Sequence, residues 1–259
     1  MCLIFVSYNC NVHCRYIIAA NRDEFRCRAT APLAYLDDAG NILGGQDLQA
    51  GGMWLGITRG GKFGAITNYR DGIGGSASLP SRGEIVSRYL LSNESAIQAT
   101  ERLAKKSQRY AGFNVLFGDN RHLVYYSNRE NKIHRLTPGF YGLSNHLLDT
   151  PWPKVERGKE LLRTHMCGNE KIDALVITKL LKDCTVPTDR LLPDTGVNLD
   201  LERFLSPVFI DGVEYGTRST AVIEIGHRGD IFFTETSYLL GAEGNKNVSQ
   251  KRMSFELDT

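Results

Sequence analysis

The sequence predicts an α+β protein in four layers, an αββα sandwich of two antiparallel sheets with helices over both outer faces. Three observations predict it. Strands come in consecutive runs joined by short turns, and helices come in adjacent pairs, a pattern that cannot build a parallel βαβ sheet. The first two strands are apolar along nearly their whole length, so both of their faces must be covered. Each helix carries its apolar residues at helical spacing, the pattern of a layer lying against a sheet.

In chain order, Leu3 to Ser7 and Tyr16 to Ala20 are short, apolar and rich in β-formers, and the polar Asn/Cys/His segment between them reads as a hairpin turn. Asn21-Arg-Asp-Glu24 follows. Two acids and an arginine gathered at the end of a buried strand are a common site signature, although strands also end in plain turn residues. Gly44 to Gly52 is glycine-rich but has neither P-loop nor dinucleotide spacing, and no helix follows it. Met53 to Thr58 and Phe63 to Thr67 form a hairpin around Arg59-Gly-Gly-Lys62, which ends in the polar run Asn68-Tyr-Arg-Asp71.

Pro80-Ser81 opens a helix, with Ser81 as N-cap, Glu84 closing a capping box and Ile85, Tyr89 and Leu90 on one face. Asn93 to Lys106 reads as its partner, with Ile97 and Leu103 inward. Phe113 to Phe117, His122 to Ser127, Lys132 to Leu136 and Gly139 to Ser144 then read as a four-stranded antiparallel meander. Lys154 to His165 and Glu170 to Leu181 give the second helix pair, Leu191 to Asn198 a surface loop, and Val222 to Ile225 with Ile231 to Glu235 a last hairpin. No repeat or linker divides the chain. The reading is one domain over residues 1–240 and a polar, frayed tail over 241–259.

Composition narrows the function classes. The 31 basic and 29 acidic residues leave a net charge of only +2, so nothing electrostatic points to nucleic acid or to an anionic membrane surface, while a local basic pocket for a small anion stays open. No apolar run reaches the ~18 residues of a membrane span. Leu3 to Val6 is too short and lacks the basic flank of a signal peptide, which makes the cytoplasm the expected location. The six cysteines form no CxxC pair and are expected as reduced thiols. Cys10-Asn-Val-His13-Cys14 has metal-ligating residue types, but no second Cys/His pair completes a zinc pattern, so we read a turn and no metal site.

The second residue raises the functional question. Cys2 is either a buried core thiol, the common fate of free cysteine, or, once Met1 is removed, a nucleophile carrying its own base. An α-amine has a reference pKa of about 7.7–8.0 and can take the thiol proton near neutral pH without help from histidine. None of the six histidines has an obvious catalytic setting.

Six segments, in order along the chain, carry a family resemblance: MCLIFVSYN, Ala19-Ala-Asn-Arg-Asp-Glu-Phe25, Gly51-Gly-Met-Trp-Leu-Gly56, Thr67-Asn-Tyr-Arg70, Gly142-Leu-Ser-Asn145 with Thr150-Pro-Trp-Pro153, and Gly216-Thr-Arg-Ser-Thr220. Together they resemble the NRDE protein family, also called the transport and Golgi organisation protein 2 family. The resemblance implies a cytoplasmic protein on an N-terminal-nucleophile (Ntn) hydrolase fold, linked to haem trafficking and to acyl-coenzyme A and lipid homeostasis. It implies a small apolar anion (haem or acyl-CoA) as ligand, haem as bound cargo rather than required cofactor, and a membrane or protein partner for cargo transfer.

A more distant resemblance to choloylglycine hydrolases implies a catalytic set. Cys2 is then the nucleophile, Asp23 holds the α-amine, Asn68 and Asn145 supply oxyanion donors, and Arg218 fixes the charge pattern around the thiol. Structural readings stand beside these roles: the two asparagines as turn caps and Arg22 and Arg218 as ion-pair partners. Arg22, Trp54 and His146 are the candidates for contact with a cargo; the alternatives are a core position for the tryptophan and an ordinary hydrogen bond for the histidine.

Overall fold

The computed structural model describes residues 2–37, 39–70, 79–240 and 246–257. The side chains of residues 240, 246 and 247 are excepted. Met1 and Asp71 fall outside the described residues.

β1 (Cys2–Tyr8) and β2 (Cys14–Phe25) form the expected hairpin, longer than the apolar runs that announce it. β3 (Thr30–Tyr35), β4 (Ile42–Asp47), β5 (Met53–Thr58) and β6 (Phe63–Asn68) follow, then α1 (Gly83–Leu90) and α2 (Ala96–Ala104). β7 (Phe113–Gly118), β8 (Leu123–Ser127), β9 (Lys132–Leu136) and β10 (Gly139–Leu143) precede α3 (Pro153–Met166), α4 (Ala174–Leu180) and α5 (Leu199–Leu205). β11 (Tyr215–Gly226), β12 (Asp230–Leu240) and β13 (Lys246–Glu256) end the described chain.

One antiparallel sheet has the order β10-β1-β2-β11-β12-β13, and the other runs β3 to β9 in sequence order. α1 and α2 cover the second sheet, α3 and α4 the first. The four-layer sandwich therefore encloses three apolar layers. Period-two alternation sorts β1 between two of them: Cys2, Ile4, Val6 and Tyr8 point between the sheets, and Leu3 and Phe5 point toward α3. The third layer joins Ile66, Val115 and Phe117 to Val86, Tyr89 and Leu90 of α1. Each such side chain fully buried contributes about 1.5–3 kcal/mol, which is why the two-sided apolar runs had to be central.

Four local expectations are corrected. Ser81 is not the cap of α1: Arg82 occupies that position without a side-chain cap, and Glu84 is drawn away to Tyr110 Oη and Arg88. The capping box sits instead at α2, where Ser95 and Gln98 bond reciprocally. The four-strand meander loses its last member, because β10 crosses to pair with β1 in the other sheet. The segment expected as a frayed tail forms β13 along β12 over residues 246–256, where backbone pairing outweighs its polar sequence. Residues 241–245 of that tail lie outside the described residues.

One buried charge bears on stability. Glu224 of β11 is 7% exposed. Its Oε1 has no hydrogen-bond partner among the described residues, and Arg252 stands 3.8 Å away. Burial pushes its carboxyl up to about 7; Arg252 opposes this, while Asp230 and Asp173 reinforce it. An unfolded glutamate ionises near ~4.3. The folded chain therefore keeps a proton the unfolded chain has released, and the resulting stability is lost as pH rises through about 7. Glu224→Gln is expected to raise stability at pH 8 by roughly 1–3 kcal/mol, with the gain vanishing toward pH 4, as read by urea denaturation.

Candidate active site

A cavity of about 440 Å³ opens where the two sheets meet at the Cys2 end. Cys2, Arg22, Asp23, Trp54 and Asn68 line it, with Phe25, Met53 and Ile66 as apolar neighbours. Backbone pairing explains the grouping: Cys2 faces Arg22 across the β1–β2 ladder, and β5 and β6 bring Trp54 and Asn68 from the opposite sheet. β2 does not end at the Asn21–Glu24 run but carries it as strand to Phe25. Alternation then divides the motif, with Asn21 on the face of Ile17 and Ala19 toward α4, and Arg22 on the face of Cys2.

Arg22 lies over the Trp54 ring, guanidinium carbon 4.3 Å from the ring centroid, and donates to Thr30 Oγ1 at 2.9 Å. The indole takes this position because residue 45 is glycine: a Cβ there would meet the ring at 2.3 Å. Cys2 is 6% exposed. Burial pushes its thiol up, Arg22 pulls it down, and Asp23 and Glu24 add to the rise.

Asp23 is fully buried, and its Oδ1 accepts from Thr217 Oγ1 at 2.7 Å. Tyr215 Oη donates to its backbone carbonyl at 3.2 Å. Burial pushes the carboxyl up; Lys154, the hydrogen bond from Thr217 and Arg70 oppose this. Arg70 pairs with Glu202 of α5 at 2.9 Å and lies over Trp152 at 4.9 Å.

The remaining sequence candidates are placed elsewhere. Asn145 is fully buried but does not line the cavity; its Nδ2 donates to Asn68 O at 3.0 Å and its carbonyl accepts from Arg70 N at 2.7 Å, stitching the end of β6 to the chain after β10. Arg218 is absent from the wall. The β2–β11 register shifts between Thr217 and Ser219, so residue 218 is the bulged one. Its Nη1 donates to the carbonyls of Phe25, Arg26 and Arg28 at 3.0, 2.7 and 2.5 Å, holding the turn after β2. His146 is also off the wall: Nδ1 meets Thr150 Oγ1 at 2.9 Å, and the ring packs between Tyr69 and Trp152. No group of three or more His, Cys, Asp or Glu among the described residues is arranged to hold a metal ion.

Sequence reading missed Lys154, 2% exposed beneath the site, along with Thr217 and Glu202. A signal for the lysine did exist. It occupies the buried stripe of α3 with Val155, Gly158, Leu162 and Met166, where a charged residue is out of pattern.

The model of the family described as Transport and Golgi organisation 2 matches residues 1–239. The chain belongs to this family. Among its relatives, the Transport and Golgi organization 2 homolog of Mus musculus is 34% identical and the Homo sapiens homolog 32%, each alignment covering 92% of this chain and 94% of the relative. Among solved structures, a Caenorhabditis elegans N-acylethanolamine-hydrolyzing acid amidase ortholog superposes with a TM-score of 0.52 at 12% identity, covering 86% of this chain and 92% of that one. The chain thus has an Ntn-hydrolase-like fold, with Cys2 at the head of β1. No helix among the described residues is long and apolar enough to cross a membrane.

Proposed function

We propose that this protein is an N-terminal-cysteine hydrolase that cleaves an amide or thioester, such as acyl-CoA, whose acyl part enters the cavity at Cys2. The observation that carries the reading is the position of Cys2: first residue of a central strand, on a cavity wall shared with Arg22, Asp23 and Asn68. With Met1 removed, the α-amine accepts the proton of the thiol as sulfur attacks the carbonyl carbon. Asn68 supports the oxyanion, and the protonated amine then gives its proton to the leaving amine or thiolate. Water cleaves the resulting thioester by the reverse sequence. Asp23, held by Thr217, fixes the amine. Trp54, Met53 and Ile66 offer apolar surface to an acyl chain, and Arg22 offers a cation to an anionic group. A reducing cytoplasm, which keeps Cys2 a thiol, suits this chemistry.

A second reading, carriage of haem or another apolar anion to a membrane or protein acceptor, is favoured by the same Arg22–Trp54 stack. Among the described residues no histidine lines the cavity, and His146 is engaged with Thr150. The test takes the native protein, reads its intact mass, and assays acyl-CoA thioesters and N-acyl amides for released thiol or amine. The expected result is a mass lacking methionine and turnover of at least one class. Retained methionine, no turnover and a Soret shift on adding haem would reverse the order of the two readings.

A further inference from the structure

We infer that Cys10 and Cys167 form an oxidisable dithiol, a modification site at which a peroxide closes a disulfide between the β1–β2 turn and the chain leaving α3. The inference is independent of the chemistry of Cys2.

The turn segment Cys10-Asn-Val-His13-Cys14 takes no part in the cavity. It packs instead on the end of α3. Gly168 N donates to Cys10 O at 2.7 Å and Val12 N donates to Gly168 O at 3.0 Å, the two hydrogen bonds of a parallel bridge between Asn11 and Gly168. Cys167 is extended here, with φ −123° and ψ 155°. The residue before each bridge partner is a cysteine, so the register sets Cys10 beside Cys167. Residues across such a pair lie about 4.7–4.9 Å apart, and a disulfide spans about 4.4–6.8 Å between Cα atoms. Side chains hold the register. Asn11 is buried; its Nδ2 donates to Glu170 O at 3.1 Å, and its Oδ1 accepts from His13 N at 2.8 Å. His13 Nε2 meets Asn169 O at 3.1 Å.

The sulfurs themselves are held loosely. Cys10 Sγ donates to Tyr8 O at 3.5 Å and Cys167 Sγ stands 3.8 Å from Ser7 Oγ, so both lie against the end of β1. Thiols make weak hydrogen bonds, and these contacts do not prevent either sulfur from turning to the other. Both residues are half-buried, within reach of a small oxidant, whereas Cys14 nearby is buried. Burial pushes the Cys167 thiol up; the hydrogen bond with Ser7 opposes this and Cys10 reinforces it. Oxidation proceeds through the thiolate and therefore speeds up as pH rises.

In the reaction, one thiolate attacks an oxygen of hydrogen peroxide, the O–O bond breaks, and the sulfur becomes a sulfenic acid as the first water leaves. The second thiol displaces the sulfenic hydroxyl as a second water, and the S–S bond forms. Two thiols and one peroxide give one disulfide and two waters. The bridge encloses the whole chain from the β1–β2 turn to the end of α3, and closing a long loop restricts the unfolded chain most.

The experiment treats the native protein with hydrogen peroxide at pH 8, reads its intact mass, and assigns any joined cysteines by fragmentation of the non-reduced digest. The expected product is lighter by two hydrogens, joins Cys10 to Cys167, and reverts with dithiothreitol. Its Tm is expected to lie several degrees above that of Cys167→Ser treated in the same way. If that variant fails to fold, Cys10→Ser gives the same comparison. Cys10 joined to Cys14 instead, or sulfinic acid with no cross-link, overturns the inference. A Cys10–Cys167 bond that leaves Tm where the treated serine variant has it overturns the bridge as a tether.

Discussion

Replacing Cys2 with alanine is expected to lower turnover of the responsive acyl thioester or amide at least ~10³-fold, the scale at which loss of a covalent nucleophile is felt. The substitution is clean for three reasons. Alanine is small, so removal of Met1 proceeds as for cysteine and the α-amine remains. Cys2 is the only cysteine on the cavity wall among the described residues, so no neighbouring thiol replaces it. The side chain lies at the edge of the apolar layer between the sheets rather than at its centre, so its loss leaves the surrounding core intact. The acyl pocket and Arg22 remain, so KM is expected to change far less than kcat. Serine should fall between the two, since the amine is still present but the hydroxyl is a weaker acid than a thiol. Steady-state kinetics on the three proteins checks this. Equal kcat in the alanine variant would remove the thiol from the chemistry and leave binding as the function of the cavity.

The site was legible where side-chain chemistry and strand position coincide. Cys2 and Asp23 sit on buried strands whose apolar runs identify them, and Asn68 closes a hairpin set by Arg59-Gly-Gly-Lys62; all three line one cavity. Arg218 was misplaced because a bulge of one residue turns its side chain out of the wall, and no local residue type announces that bulge. Asn145 was found as a strand-end residue, but its partners are backbone groups of β6 and the chain beyond it, contacts that depend on β10 changing sheets.

The fold was legible to a similar depth and failed for related reasons. β3 and β4 carry Pro32, Gly44 and Gly45, residues that ordinarily count against a strand. The proline is tolerated because β3 is an edge strand, and Gly45 because the Trp54 ring occupies the space of its absent side chain. β13 is mostly polar because it also lies at an edge, where Met253 and Phe255 reach the core and the backbone of β12 pairs with the strand. In each case tertiary contact supplies what local propensity lacks.

Asn21→Leu is expected to destabilise the protein by about 3–5 kcal/mol, since three hydrogen bonds of one buried amide are lost together. Asn21 is fully buried, and its Nδ2 donates to Leu181 O and Val208 O, both at 2.9 Å. Its Oδ1 accepts from Thr220 Oγ1 at 2.6 Å, and Thr220 accepts in turn from Tyr238 Oη at 3.0 Å. Leu181 follows the last turn of α4, so the amide satisfies a helix-end carbonyl that has no partner of its own. Leucine keeps the branched heavy-atom outline of asparagine and is the larger side chain, so the substitution opens no cavity. What remains is two carbonyls and a hydroxyl left buried without their partner, each costing about 1–3 kcal/mol and not fully additive. Against a total stability of ~5–15 kcal/mol such a loss is large. Urea denaturation checks it: the midpoint should fall while the slope is unchanged, because the surface exposed on unfolding is the same. A loss under ~1 kcal/mol would mean that the α4 end and the segment at Val208 are held by other contacts. A loss of the expected size would divide the motif by strand face, Asn21 fixing the helix layer while Arg22, on the opposite face, meets the cavity.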